Sequence, residues 1–520
     1  MTSKADVNAG VAAGVEFPVA GDGRRSTSAF GRSVIADALR GTDAAGALGA
    51  DQETNWRSGY LTHFRRVIEA GLPSRQHALT IAADGLRSLH GRMRSVLPDE
   101  GEGELDDLLT SPVRRPLRTE KVAGAGEAEL ELALPYRGDR LRGADLARRL
   151  DTWVEAGIIE PSCAGAIRTV SDHPEWLSLP GRTVAVLGAG AEIGPLPVLL
   201  RWGATVAGVD LPDSRIWDRV LRTARSGAGT LLVPVTERGD SGSAGGAGRL
   251  SRDSAFALEE RAGADVTTQV PEIADWLAGL AGEGDVADLA GPLVLGNYVY
   301  ADGAANVRLC AAADTLTLRL QAARDGVALA FLATPTDVFA VPGEAVAQSA
   351  RAYGSRSAAV KLASQPLRAL SGGRLMQPAY PPGADPGISD NLVAQQGPNY
   401  ALAKRLQRWR ASLARDAGTA VSLNVAPPTK TRSVMKNRAL AAAYAGAYRF
   451  GAEIFEPDTT RVLMAALLVH DLHADRPTHE HPWQDEAYAA AHGGLWRIGY
   501  APRSVLGLAA LLGYSASRRG

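Results

Sequence analysis

The sequence predicts an α/β fold in which a doubly wound parallel sheet follows a mostly helical amino-terminal region. From residue 181 onward, short apolar runs alternate with helical stretches, the pattern of a parallel sheet covered on both faces. The first of those runs feeds a glycine-rich turn, Gly188-Ala189-Gly190-Ala191-Glu192-Ile193-Gly194. Upstream, over residues 56–97, apolar residues recur at three- and four-residue spacings instead.

At 520 residues the chain is long enough for two or more domains. Residues 1–50, rich in Ala, Gly and small polar residues, are expected to be partly disordered. Residues 51–180 read as a mostly helical accessory region. Leu61, Phe64 and Ile68, then Leu79, Leu86, Leu89 and Met93, define two helices broken at Gly71-Leu72-Pro73-Ser74. The acidic stretch Pro98 to Asp107 reads as a linker, and Leu130, Leu132 and Leu134 as the inner face of a short strand. Leu146, Leu150, Trp153 and Val154 mark one more helix. The sheet is expected over 181–475, with 476–520 a tail packed on the core.

Net charge is −1 and the sequence pI is about 6.8, which gives no sign of a nucleic-acid or membrane-surface partner. Two cysteines, Cys163 and Cys310, are too few for a disulfide framework and fit a reducing compartment. Charged Lys4, Asp6 and Glu16 interrupt any signal-peptide core, and no apolar run is long enough to span a bilayer. The expectation is a cytoplasmic protein acting on a small molecule, with a homo-oligomer open.

Six strands are expected in order. Thr183–Leu187 precedes the glycine turn and an apolar helix through Leu199-Leu200, and Thr205–Val209 ends in Asp210. Leu231–Val235 precedes a Gly/Ser stretch, Gly239 to Gly248, read as an insertion. Pro292–Asn297 carries Asn297 at its carboxyl end, Val327–Leu332 runs into Thr334 and Thr336, and Ala420–Val425 runs into Pro427 through Thr431. Ligands of such sheets sit beyond the carboxyl ends of the strands, where Asp210, Asn297, Thr334 and Thr431 all fall.

The strand, glycine turn, helix, strand and terminal acid form the signature of a Rossmann-type dinucleotide site. Glycines let the backbone approach a pyrophosphate, and Asp210, 20 residues after Gly190, is placed for the adenosine ribose hydroxyls. An acid there favours NAD over the 2′-phosphate of NADP, as does Pro195 where a basic residue could have stood; nearby Arg215 keeps NADP as an alternative. Downstream, Tyr400 and Lys404 stand four apart in Gly-Pro-Asn-Tyr-Ala-Leu-Ala-Lys, on one face of a helix. An ammonium beside a phenol favours the phenolate, which suits the pair to proton transfer.

In this order the parts resemble the short-chain dehydrogenase/reductase superfamily over roughly residues 181–475. Gly188, Gly190, Ile193 and Gly194 lie in the stretch that matches its cofactor loop, Asp265-Val266-Thr267 resembles its adenine-side strand end, and Asn297 sits like the asparagine after its fourth strand. Tyr400 and Lys404 match its Tyr-x-x-x-Lys, and Pro427 through Thr431 its loop beside the nicotinamide. The resemblance implies that Tyr400 is the general acid/base, while Lys404 holds the nicotinamide ribose and lowers the tyrosine pKa. The chain departs from the pattern at Leu187, at Glu192 and Pro428 where glycines are usual, and in the 212 residues between Gly188 and Tyr400. A carboxylate at Glu192 repels a pyrophosphate unless it turns away or meets a cation.

For the hydroxyl that polarises a substrate carbonyl, Thr336 or Thr334 is preferred over Ser389, because both end the fifth strand. Tyr353 lacks a lysine four residues on and reads as structural. The group His470, His473, His479 and His481 lacks a metal-ligand pattern and reads as part of a solvated loop, so no metal is expected. Two other classes compete. An S-adenosylmethionine-dependent methyltransferase shares the Gly-x-Gly loop and the acid, but has Val186 where its own acid is usual and leaves Tyr400 and Lys404 unexplained. A catalytically silent dinucleotide-binding module would explain Glu192 and Pro428.

Overall fold

A computed structural model describes residues 13–21, 23–97, 101–236, 257–280 and 291–514. At its centre is a seven-stranded sheet of β1 (Leu117–Ala123), β2 (Thr183–Leu187), β3 (Thr205–Val209), β4 (Thr230–Thr236), β5 (Leu293–Asn297), β6 (Ala328–Ala333) and β7 (Val421–Val425). Their spatial order is β7-β6-β5-β2-β3-β4-β1, parallel throughout except for β1, which pairs antiparallel with β4. All six expected strands are present to within a residue or two at each end. The Gly239 to Gly248 stretch lies outside the described residues.

Strand β1 was not legible as a strand. Its sequence, Leu-Arg-Thr-Glu-Lys-Val-Ala, has an exposed, charged face because it forms the sheet edge, where charge discourages further pairing.

Inside the sheet, alternate residues feed two cores. Ala185, Leu187, Leu295, Leu329, Phe331 and Leu423 face the Val270–Gly279, Ala304–Ala323 and Pro398–Asp416 helices. Val184, Val186, Val206, Val294, Ala330 and Leu332 face the Leu196–Arg201, Ser214–Ser226 and Pro457–His473 helices. Strands buried on both faces read as unbroken apolar runs for this reason.

The amino-terminal helices form a third layer. Thr27–Arg40 and Ala44–Asp51 lie in the stretch expected to be partly disordered, and the structure corrects that reading. Ser26 caps the first by accepting the Ala29 N–H at 3.2 Å, and Asp43 caps the second by accepting the Gly46 N–H at 2.9 Å. Composition misled because the few large residues, Phe30, Val34, Ile35 and Leu39, fall on the buried side of one helix. Trp56–Gly71 and Arg75–Arg92 follow, broken where expected. These helices share one continuous apolar core with the sheet rather than owning a separate one. The Trp409 ring seats over Gly85, where any Cβ would overlap it.

The expected inner strand around Leu130 is limited to Leu134–Tyr136, with Leu130 exposed, and the 98–107 linker contains the short strand Gly101–Glu104. Among the described residues no helix is long and apolar enough to cross a membrane.

Charge also joins the layers. His90, on the Arg75–Arg92 helix, bonds Asp314 at 2.8 Å and Asp106 at 2.5 Å, and Asp314 accepts two bonds from Arg410 at 2.7 Å. Burial works against a charged imidazole, but the two carboxylates outweigh it and hold the His90 pKa above its ordinary value. A raised folded-state pKa stabilises fully below the unfolded value of about 6.5, and that stability is lost as pH rises through the folded value. Urea titrations should therefore show stability falling as pH rises from below about 6.5, and His90→Gln should flatten that slope. At the other end of the molecule, the Arg438–Gly446 and Pro502–Gly513 helices touch backbone to backbone. A Cβ on Gly446 would overlap the Ala509 carbonyl, and one on Gly513 the Ala442 carbonyl. Gly446→Val should cost about 1–3 kcal/mol in urea unfolding.

Candidate active site

The Pro398–Asp416 helix begins at Pro398, after a glycine at positive φ, Gly397. Residues 400, 404 and 407 share one face, and 405 and 408 the neighbouring one.

The second face carries the anchor. Asp337, four residues past the end of β6, is fully buried and accepts Arg405 at 2.9 Å and Arg408 at 2.6 Å. Arg408 also grips Glu486 at 2.7 and 2.5 Å and lies 4.0 Å over the Phe339 ring. Burial opposes the Asp337 charge, but the two guanidinium groups win and hold its carboxyl below the ordinary range. The helix is thereby fixed against the carboxyl end of β6.

The first face then meets the strand ends. Thr334 lies beside the Tyr400 side chain, and it shares a 2.9 Å hydroxyl–hydroxyl bond with Thr336. Gln396 donates to Thr336. Lys404 Nζ donates to the Leu332 carbonyl at 3.2 Å and to Gln407 Oε1 at 3.0 Å, and Gln407 Nε2 donates to Asn297 Oδ1 at 3.1 Å. Tyr400, Lys404, Thr334, Thr336 and Asn297 thus converge at the carboxyl ends of β5 and β6. Gln407 and Gln396, which complete this network, were missed in the sequence. Gln407 was within reach, since it continues the Tyr400–Lys404 face by three residues.

Burial raises the Tyr400 phenol pKa, with the Thr334 side chain pulling the other way, and burial lowers that of the Lys404 ammonium. The expected lowering of Tyr400 by its lysine therefore does not describe this geometry: the ammonium is spent on Leu332 and Gln407. The Tyr300 ring packs edge-on to Tyr400, with centroids 6.2 Å apart, and its hydroxyl donates to Asp302 at 2.7 Å.

Beside Asn297, at the end of β2, is the glycine turn. Gly188 has φ +87°, and a Cβ there would press on the Tyr298 carbonyl, so the turn requires glycine. Gly190 N–H donates to Asp210 at 2.8 Å, and the other Asp210 oxygen accepts Leu211 N–H at 2.8 Å. Desolvation raises the Asp210 pKa against these bonds. Each carboxylate oxygen keeps a lone pair for a further donor.

Among the described residues the Glu192 and Ile193 N–H groups have no acceptor. Glu192 points its carboxylate out of the turn, accepting Arg432 N–H at 3.0 Å, while its carbonyl takes two bonds from Arg461 at 3.1 and 2.7 Å. It both turns away and meets a cation.

The remaining expected residues divide. Asp265, Val266 and Thr267 form a turn rather than a strand end. Ala264 N–H donates to the Asp210 carbonyl at 2.9 Å, and Asp265 accepts Thr267 N–H at 2.8 Å. Pro427 accepts from Thr429 within the loop after β7, and Thr431 starts the Arg432–Lys436 helix and bonds Ser433 at 3.0 Å. Ser389 is buried in a hairpin, bonded to Asn391. Tyr353 bonds the Met376 carbonyl at 3.2 Å, away from this network. The four carboxyl-terminal histidines serve separate local bonds, to Asp471, Val469, Asp485 and Gly71.

Compared with protein-family models, curated proteins and solved structures, the chain matches none of them.

Removing one member of a buried ion network strands the others in a low-dielectric interior. Asp337→Asn should cost about 3–5 kcal/mol in urea unfolding. A loss under about 1 kcal/mol would mean the anchor does not hold this helix.

Proposed function

We propose that this chain is an NAD(P)-dependent oxidoreductase of the short-chain dehydrogenase/reductase type, acting on an alcohol/carbonyl pair with Tyr400 as general acid/base. The observation that carries this reading is the convergence of Tyr400, Thr334, Lys404 and Asn297 beside the glycine turn. The sheet supports it. Counted from β2, the parallel strands stand in the order third, second, first, fourth, fifth, sixth, as in Rossmann-type dinucleotide folds. The order reverses between β2 and β5, and Gly188 and Asn297 lie at that switch point, where such sheets bind ligands.

The residues present fit a dinucleotide. Glu192 and Ile193 offer two free N–H groups to a pyrophosphate, and Asp210 offers open lone pairs to ribose hydroxyls. When bound, the nicotinamide supplies the hydride chemistry. Tyr400 gives its proton to the substrate oxygen as the carbonyl becomes an alcohol, or takes it back in the reverse direction. The Thr334 hydroxyl, next to Tyr400, steadies the same oxygen. Lys404 is held beside the site by the Leu332 carbonyl and Gln407. Asp210 supports NAD, while Arg219, 3.3 Å from the Gly190 carbonyl, supplies a cation that NADP could use.

Fluorescence titration with NADH and NADPH, followed by turnover on a panel of carbonyl compounds, tests the reading. Tyr400→Phe should leave cofactor affinity within about twofold and lower turnover by about 10²-fold or more. Unchanged turnover in that variant overturns the role of Tyr400. Binding of S-adenosylmethionine in place of either nicotinamide overturns the class.

A further inference from the structure

Three segments far apart in sequence, 345–384, 426–452 and 487–514, fold into one lobe next to the candidate site. The Tyr500 ring packs on Tyr353 and Phe450 at 5.5 and 5.9 Å, and Met376 N–H donates to the Ser504 carbonyl at 3.2 Å. The Gly446 and Gly513 helices described above belong to the same lobe.

The charge of this lobe is one-sided. The segments carry five, five and two Lys or Arg residues and no Asp or Glu, with Glu344, Asp385, Glu453 and Glu486 directly beside their bounds, in a chain whose net charge is −1. Four of these cations reach carboxylates outside the lobe: Lys430 to Glu456, Arg432 to Glu192, Arg497 to Glu160 and Arg503 to Asp390. The other eight, with Lys361, Arg374, Lys436 and Arg438 among them, have no carboxylate partner among the described residues.

The lobe is also unusually apolar outside. Of the fourteen large apolar side chains exposed among the described residues, nine lie in these segments, which make up under a fifth of the chain. The Ala358–Leu370 helix shows how. Lys361, Ser364, Gln365 and Arg368 fall within a narrow arc, in which Ser364 is buried, Arg368 donates to the Tyr353 hydroxyl at 2.9 Å, and Lys361 and Gln365 stay exposed. The opposite face holds Val360, Leu362, Leu367 and Leu370, with Leu362 71% and Leu370 88% exposed. The Pro502–Gly513 helix adds Leu511, 73% exposed.

We propose that this lobe docks on an anionic lipid surface, with the apolar face of the Ala358–Leu370 helix entering the headgroup boundary and the unpaired cations meeting lipid phosphates. Leucines and cations together are what an interfacial helix presents to such a surface. A second copy of this chain is a poor occupant, because two acid-free faces repel each other. The neutral whole-chain charge conceals this, since the compensating carboxylates lie elsewhere in the molecule.

The test is co-sedimentation of the full-length chain with vesicles of phosphatidylcholine alone and with about one third phosphatidylglycerol. Binding should be at least about tenfold stronger to the anionic vesicles and weaken with added salt. Leu362→Glu with Leu370→Glu should lower it by about tenfold or more, and Lys361→Glu with Arg374→Glu likewise, while the urea midpoint stays unchanged. Equal binding to both vesicle types, no binding to either, or binding indifferent to both double variants overturns the proposal. So does a dimer that the leucine variant dissolves, which would assign the face to a second copy.

Discussion

The candidate site depends on a buried carboxylate held between two arginines of one helix. Asp337 takes Arg405 and Arg408 from consecutive turns, which fixes the Pro398–Asp416 helix in both rotation and axial position against β6. A helix free to rotate by one residue would swing its side chains by about 100° and carry Tyr400 away from Thr334. Arg408 extends the constraint to Glu486, so the carboxyl-terminal segment is tied into the same network. Such a cluster adds little net stability over an apolar core of equal volume. Its contribution is to make one register of the helix far better than its neighbours.

The same helix presents three kinds of surface. One face packs apolar residues such as Leu406 into the core shared with the amino-terminal helices, one holds the ion network, and one meets the strand ends. Arg410 adds a contact to Asp314, and through it to His90 in the outer layer. The outer helices therefore bear on the candidate site through packing and charge, although none of their residues enters it.

Much of this was legible. The six parallel strands could be read because each is buried on both faces and is therefore a short apolar run. The placing of Thr334 and Asn297 followed from strand ends, and that of Tyr400 and Lys404 from their helical spacing. The edge strand β1 could not be read, since its outward face is charged, nor could the Thr27–Arg40 helix, hidden by small residues around its few large ones. Asp337 and its arginines are 68 and 71 residues apart, and only the fold brings them together. The acid-free lobe was present in the letters but divided among three segments, so a whole-chain charge averaged it away. The outward turn of Glu192 was beyond reach for a similar reason, because its partner Arg432 comes from 240 residues downstream.

The contact between Gly446 and Gly513 sets how the two helices it joins can move. Two helices that touch through their backbones, with no side chains between them to re-pack, cannot slide past each other by small steps. They travel as one body. Any displacement of the pair must then be taken up at their ends. The Asn437 junction between the Arg432–Lys436 and Arg438–Gly446 helices and the Ala501 start of the last helix are where backbone torsion can change without breaking that contact.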